Sequence, residues 1–167
     1  MNDNFSLNKL IAALREELQQ YGEMLARLDE QQEYAMRRAA DELLQSVSAV
    51  QEQGRKVSTA RQHRQQAQAE LSSNCFLPVD APISQIILLM PECYRPLMQA
   101  LMQENNELLV RVQQRARQNH LLLLRSLELM QNLMNSLFPG SATSVYGETG
   151  GLLNRTLPRH SLYEAVG

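Results

Sequence analysis

The chain has 167 residues, of which 44% are hydrophobic and only 5% aromatic, and it contains no tryptophan. This length and this shortage of aromatic residues predict one domain with a leucine-rich helical or coiled-coil core. The net charge of −2 gives no overall attraction to nucleic acid or to an anionic membrane surface.

The first segment has the clearest helical periodicity of the chain. Its apolar residues recur at alternating intervals of four and three, which is the seam of a helix packed on other helices. Ser6 precedes the series and is the predicted N-cap of this helix. The series consists of Leu7, Ile11, Leu14, Leu18, Tyr21, Leu25 and Leu28.

A second, weaker series runs from Leu43 through Val47, Val50 and Gly54 to Val57. A single helix from Ser6 to Leu71 would be about 100 Å long and would leave its apolar stripe exposed. We therefore predict a helical hairpin over residues 6–72, with a reversal near Arg38–Asp41 and Asp41 as the cap of the returning helix.

Four of the six prolines lie between Ser72 and Pro96, and residues 73–95 are predicted to be a crossover connection, because proline interrupts a helix interior. Between Pro82 and Pro91 there is room for about two helical turns. A last helix is predicted over residues 96–138, with Pro96 in its first turn and Pro139 after its end.

Together these elements predict an all-α fold. It is an antiparallel up-down-up bundle of three long helices with a short crossover helix, in a domain of residues 1–140. A flexible C-terminal tail of residues 141–167 is expected to follow, because its composition turns to serine, threonine, glycine and proline.

No residue pattern indicates catalysis, a metal site or a cofactor. The three histidines lie in separate segments, and Cys75 and Cys93 lack further ligands at metal-binding spacing. We expect no enzyme activity, no catalytic residues, no metal and no cofactor. There is also no apolar run of the length that a membrane span needs and no signal-peptide pattern, which predicts a cytoplasmic protein without membrane insertion.

The basic stretch of residues 55–64 allows two interpretations. Arg55, Lys56, Arg61 and Arg64 could bind nucleic acid, but aromatic residues are not interleaved with them and the net charge opposes it. We instead expect no nucleic acid partner, and expect these cations to lie beside acidic residues of the first helix, including Glu16 and Glu17.

Residues 121–138 are apolar at more than half of their positions, which is more than one helix stripe requires. Two interpretations stay open at this point: burial by several neighbouring helices, or a leucine- and methionine-rich groove for a partner helix. For the second, the predicted binding residues are Leu123, Leu127, Met130, Leu133, Met134 and Leu137. Part of this face is expected to be covered in the free protein by Ile83, Ile86, Ile87, Leu89 and Met90.

The most specific pattern lies in residues 112–150. Gln113 or Gln114 and Asn119 precede a leucine pair, Leu122 and Leu123, and then Ser126. After the linker at Pro139 comes a motif with Val145, Tyr146, Gly147 and Gly150. In these features and in its helical hairpin, the chain resembles FlgN-type flagellar export chaperones.

The resemblance implies a function and its partners. FlgN-like chaperones bind the C-terminal helical segments of the hook–filament junction proteins FlgK and FlgL, prevent their premature association and deliver them to the export gate. The resemblance implies that Tyr146 contacts the gate protein FlhA, with Gly147 and Gly150 forming the turn that presents it. A homodimer of the free protein is a further expectation. The alternatives are a general coiled-coil adaptor and, with less support, a nucleic-acid-binding helical protein.

Overall fold

A computed structural model describes the backbone of residues 3–137, which forms four helices and no strand. They are α1 (Asp3–Arg37), α2 (Ala40–Asn74), α3 (Ile83–Leu89) and α4 (Arg95–Leu137). The predicted all-α fold with three long helices and one short crossover helix is confirmed. Phe138 and the predicted tail of residues 141–167 lie outside the described residues.

The chain divides into two compact units, Met1–Asn119 and His120–Gly167. The first unit holds α1, α2, α3 and the part of α4 that ends at Asn119. Of the second unit, the described part is the remainder of α4, from His120 to Leu137. Among the helices of residues 3–137, none has the length and apolar content required to cross a membrane.

Hydrogen bonds between helices establish the up-down-up order in the first unit. Lys9 pairs with Glu70, whereas Gln53 donates to Gln20, so α1 and α2 run in opposite directions. In contrast, Asn105 donates to the Leu14 carbonyl and Asn119 to the Leu28 carbonyl, which makes α1 and α4 parallel.

The core of the first unit repeats every seven residues, as in a coiled coil. Buried positions at this interval occur on all three long helices. They are Leu7, Leu14, Tyr21 and Leu28 on α1, Ser46, Gln53, Ala60 and Ala67 on α2, and Met98, Asn105, Val112 and Asn119 on α4.

The most buried face of α2 differs from the predicted one. Val47, Val50 and Val57 are only half-buried, whereas Ser46, Gln53 and Ala60 are buried. Small side chains at Ser46 and Ala60 allow α2 to pack closely on α1. Because serine, alanine and glutamine give little hydrophobic signal, the sequence pattern favoured the neighbouring valines.

The reversal predicted near Arg38–Asp41 is confirmed, but its capping residue is wrong. The amide N–H of Ala39 donates to the Tyr34 carbonyl and that of Arg38 to the Ala35 carbonyl, while Arg38 adopts a φ of 57°. This is a Schellman motif, in which main-chain amides satisfy the last carbonyls of α1. Ala39 occupies the N-cap position of α2 with no side-chain cap, and Asp41 lies in its first turn.

Ser6 is also not the N-cap that the sequence predicted. The first helix begins earlier, at Asp3, so Ser6 lies inside α1, where it is buried. Its hydroxyl oxygen accepts a hydrogen bond of 2.9 Å from the side-chain amide of Asn74. This polar contact joins the start of α1 to the end of α2.

A second Schellman motif ends α2 and places an unusual residue at its left-handed position. Phe76 has a φ of 58°, while the Leu77 amide donates to the Ser72 carbonyl at 2.9 Å. Glycine is usual here, because a side chain in this conformation costs about 1–2 kcal/mol. The Phe76 side chain is 97% exposed, so no burial of apolar surface offsets this cost.

The short helix predicted between Pro82 and Pro91 is confirmed as α3, which closes one end of the first unit. Its three isoleucines and the following Met90 are buried in one apolar cluster. That cluster includes Leu7, Leu10, Ile11, Leu14, Leu71, Met98 and Leu101. The isoleucines thus tie the crossover to all three long helices.

Candidate functional site

The described part of the second unit carries a continuous apolar surface on α4, which we call the C-terminal apolar surface. Its large side chains are each at least 43% exposed, and soluble monomers rarely expose so many adjacent apolar groups without a function. The surface consists of Leu121, Leu124, Leu127, Leu129, Met130, Leu133, Met134 and Leu137.

Five of the six residues predicted to bind a partner helix belong to this surface, and the sixth, Leu123, is half-buried. The interpretation in which neighbours bury this segment does not hold for the described residues, because the side chains are exposed. Their partner-binding role stays a prediction. The six residues are Leu123, Leu127, Met130, Leu133, Met134 and Leu137.

The distribution of these residues around the helix indicates what could cover them. Intervals of four and three from Leu127 through Met130 and Met134 to Leu137 form one stripe, which Leu133 broadens on one side. At 3.6 residues per turn this stripe, together with Leu124, takes up roughly half of the circumference, Leu121 and Leu129 extend it on either side, and Asn132 lies opposite the stripe. A sector of this width exceeds the stripe that contact with one helix covers. It suits a partner that contributes more than one helix or wraps around the segment.

Most of the residues predicted to cover this surface are buried within the first unit. Ile83, Ile86, Ile87 and Met90 are buried in the core of the first unit, whereas Leu89 is 57% exposed. A covering role would require the four buried side chains to leave that core, at about 1.5–3 kcal/mol each. The role of α3 as a cover stays a prediction.

A buried carboxylate lies at the centre of the first unit. Glu17 is 3% exposed, and its Oε1 accepts a hydrogen bond of 2.9 Å from the Tyr21 hydroxyl. Its Oε2 accepts one of 2.8 Å from Nε of Arg64, and Nε of Arg61 lies 3.8 Å from Oε1. The predicted pairing of α2 cations with acids of α1 is confirmed for Glu17. Because a buried charge without partners costs several kcal/mol, the direct hydrogen bonds from Arg64 and Tyr21 are what allow Glu17 to be buried, and the more distant Arg61 adds to them.

The remaining residues of the basic stretch are more exposed. Arg55 pairs with Glu52 one helical turn away, and Nδ1 of His63 lies 3.6 Å from Glu16. Exposed pairs of this kind contribute roughly 0–1 kcal/mol each. They hold little of the fold together, in contrast to the contacts of Glu17.

Two buried asparagines fix the position of α4 on α1. Nδ2 of Asn119 donates to the Leu28 carbonyl at 2.7 Å and to Oε1 of Gln31 at 3.1 Å. Nδ2 of Asn105 donates to the Leu14 carbonyl at 3.1 Å. Asn119 belongs to the motif that carries the family resemblance, and the structure shows that it packs inside the first unit. Sequence reasoning missed Asn105, although its spacing of two heptads before Asn119 is a usable signal.

The remaining predicted site residues cannot be placed. Tyr146, Gly147 and Gly150 lie outside the described residues. Within residues 3–137, no three histidine, cysteine or acidic side chains are grouped so that they could hold a metal ion.

Comparison with protein families gives one result that covers most of the chain. The family model described as FlgN protein matches residues 1–154. Comparison with curated proteins and with solved structures gives no match. The family match includes the described helices as well as the segment that contains Tyr146.

The buried network predicts a pH effect on stability through Tyr21. Burial, followed by the nearby Glu17 carboxylate, raises the pKa of Tyr21 above its ordinary value of 10.0. Because the pKa of Tyr21 is raised in the folded state, the protonated hydroxyl contributes to the free energy of unfolding. This contribution is complete below about pH 10 and is lost as the pH rises through the folded-state pKa. We expect the stability advantage of the wild type over Tyr21→Phe to decrease above about pH 10, by at most ~1.4 kcal/mol per pH unit.

Urea denaturation of both proteins from pH 7 to pH 11 measures this difference. Titration of other groups largely cancels between the two proteins, so the difference in unfolding free energy isolates Tyr21. A difference that stays constant across this range contradicts the account of the buried network.

Proposed function

The chain belongs to the FlgN family of flagellar export chaperones, and we propose that it binds the C-terminal helical segments of the hook–filament junction proteins FlgK and FlgL. On this proposal it prevents their premature association and delivers them to the export gate in the cytoplasm. The observation that supports the proposal is the exposed C-terminal apolar surface within the matched part of the chain.

The chemistry of the C-terminal apolar surface suits the apolar faces of amphipathic helices. Leucine and methionine side chains adapt to different apolar partners, since both are flexible and methionine is also polarizable. Covering side chains such as Leu129 and Met130, which are 69% and 64% exposed, would remove apolar area from water on both partners. The same burial would shield the apolar face of a junction protein from other copies of itself.

Delivery requires a second contact, which we assign to the gate protein FlhA. The proposed docking residues are Tyr146, Gly147 and Gly150, in a segment separate in sequence from the C-terminal apolar surface. A tyrosine provides a large contact area and a hydrogen-bonding hydroxyl while few rotatable bonds become fixed. Because the two contacts use different residues, substrate binding and gate binding should be separable by mutation.

A general coiled-coil adaptor is the second candidate, favoured by the heptad core of the first unit. Self-association of the free protein through the C-terminal apolar surface would fit either function. The two candidates differ at Tyr146, which an adaptor has no reason to require.

Acidic substitutions in the C-terminal apolar surface should abolish substrate binding. We expect Leu127→Asp combined with Met130→Asp to weaken binding of FlgK and FlgL C-terminal segments by at least a hundredfold, because two carboxylates would be buried without partners. Isothermal titration calorimetry measures the affinity, and circular dichroism checks the fold.

The matched control is Asn132→Asp with Asn135→Asp, which adds the same charge at exposed polar positions. Its affinity should stay within about threefold of the wild type. Unchanged binding by a folded Leu127→Asp, Met130→Asp protein would place the substrate site elsewhere.

Tyr146→Ala should weaken gate binding and leave substrate binding unchanged. We expect the complexes with FlgK and FlgL to keep their affinity, while association with FlhA weakens by tenfold or more through loss of the aromatic contact. Tyr163→Ala, a tyrosine outside the motif, serves as the control. Equal FlhA binding by wild type and Tyr146→Ala would contradict the docking role.

A further inference from the structure

Two surface depressions of the first unit meet on α4 at Met102 and Asn106. The wider one, of about 420 Å³, lies between α3 and α4 and is also lined by Ile87 and Leu88. The second, of about 160 Å³, extends to α1 and α2, where Arg61 and other residues line it. They adjoin at Met102 and Asn106, and we call the two together the α3–α4 groove.

The wide part of the α3–α4 groove is mainly apolar. Ile87 is buried and Met102 half-buried, whereas Leu88 at the edge is 70% exposed. Polar side chains complete the lining, and they are Ser84, Gln99, Gln103, Asn106 and one carboxylate, Glu107. Apolar lining with a few polar groups at the edges is typical of sites that accept a side chain of another molecule.

The narrow part of the groove has an excess of positive charge. Two guanidinium groups, those of Arg61 and Arg64, line it together with one carboxylate, that of Glu17. Arg64 is the less accessible of the two, since its side chain is 19% exposed, and its Nε donates to Glu17 and its Nη1 to Gln68.

Arg61 is the cation with capacity for a further partner. Its Nη2 donates to the Tyr21 hydroxyl at 3.2 Å, and its contact with Glu17 is longer, at 3.8 Å. Its side chain remains 35% exposed. A guanidinium has five N–H donors, so Arg61 can donate to a second carboxylate without giving up these contacts.

We propose that the α3–α4 groove is a second docking site, which binds a polypeptide segment of a partner protein. An acidic side chain of that segment pairs with Arg61 in the narrow part, and neighbouring apolar side chains fill the wide part beside Ile87 and Leu88. The positive charge of the narrow part, with Arg61 as its accessible cation, selects the acid. The proposal is independent of the C-terminal apolar surface, because all of its residues belong to the first unit.

Selection from a library of random 12-residue peptides displayed on phage tests this proposal. The target is the full chain with Leu127→Asp and Met130→Asp, which disables the C-terminal apolar surface. Counter-selection uses the same chain with Ser84→Arg added, because an arginine at this exposed position of α3 obstructs the groove. We expect enriched peptides to contain an acidic residue within four positions of an apolar pair.

Synthetic versions of the enriched peptides then give affinities by fluorescence anisotropy. We expect Arg61→Gln to weaken binding about tenfold and the matched control Arg55→Gln, an exposed arginine outside the groove, to leave it unchanged. The proposal is overturned if no peptide is enriched over the counter-selection. It is also overturned if the enriched peptides lack an acidic residue, or if Arg61→Gln does not alter their affinity.

Discussion

The arrangement of the described helices depends on the register between α1 and α4, which two buried carboxamides determine. Asn105 and Asn119 are two heptads apart, and their acceptors, the carbonyls of Leu14 and Leu28, have the same spacing. A shift of α4 by one heptad would place Val112 opposite one of these carbonyls and Met98 or Ser126 opposite the other, so neither carbonyl would receive a carboxamide. Buried polar residues in coiled coils commonly select one register at some cost in stability. Here they also determine that α4 belongs to the first unit as far as Asn119.

Other buried polar residues also form contacts between helices in the core. Glu17, Gln53 and Asn119 are buried, and each has a specific partner on another helix. Such contacts add little net stability compared with apolar packing, but breaking one of them leaves an unsatisfied buried group. The core is therefore selective about which helices pack and in what order. Apolar side chains are concentrated instead at α3 and in the segment from His120 to Leu137.

The sequence predicts elements well where apolar side chains carry the signal. The seam of α1 through Leu7, Leu14, Tyr21 and Leu28 is buried as predicted, and proline positions locate α3. Prediction is poor where main-chain geometry or small residues decide. Both α1 and α2 end in Schellman motifs without glycine. Neither Arg38 nor Phe76 is a residue type that indicates a left-handed position.

The candidate site, too, could be predicted only where apolar side chains carry the signal. The apolar excess after Asn119 is readable from sequence, but sequence alone left burial and exposure open, since both produce the same leucine-rich pattern. The exposure of Leu127 and Met130 decides between them for the described residues. Asn105 and the α3–α4 groove depend on contacts between helices distant in sequence, which no local pattern contains. The role of Tyr146 stays a prediction based on family resemblance.

The central claim is that α4 has two roles, core packing up to Asn119 and partner binding after it. Amide hydrogen exchange of the full chain, with and without a saturating FlgK C-terminal segment, tests this claim most directly. The account predicts slow exchange for residues 98–119 in both states and strong new protection in residues 121–137 only when the segment is bound. New protection confined to residues 7–119, with residues 121–137 unchanged, would contradict it.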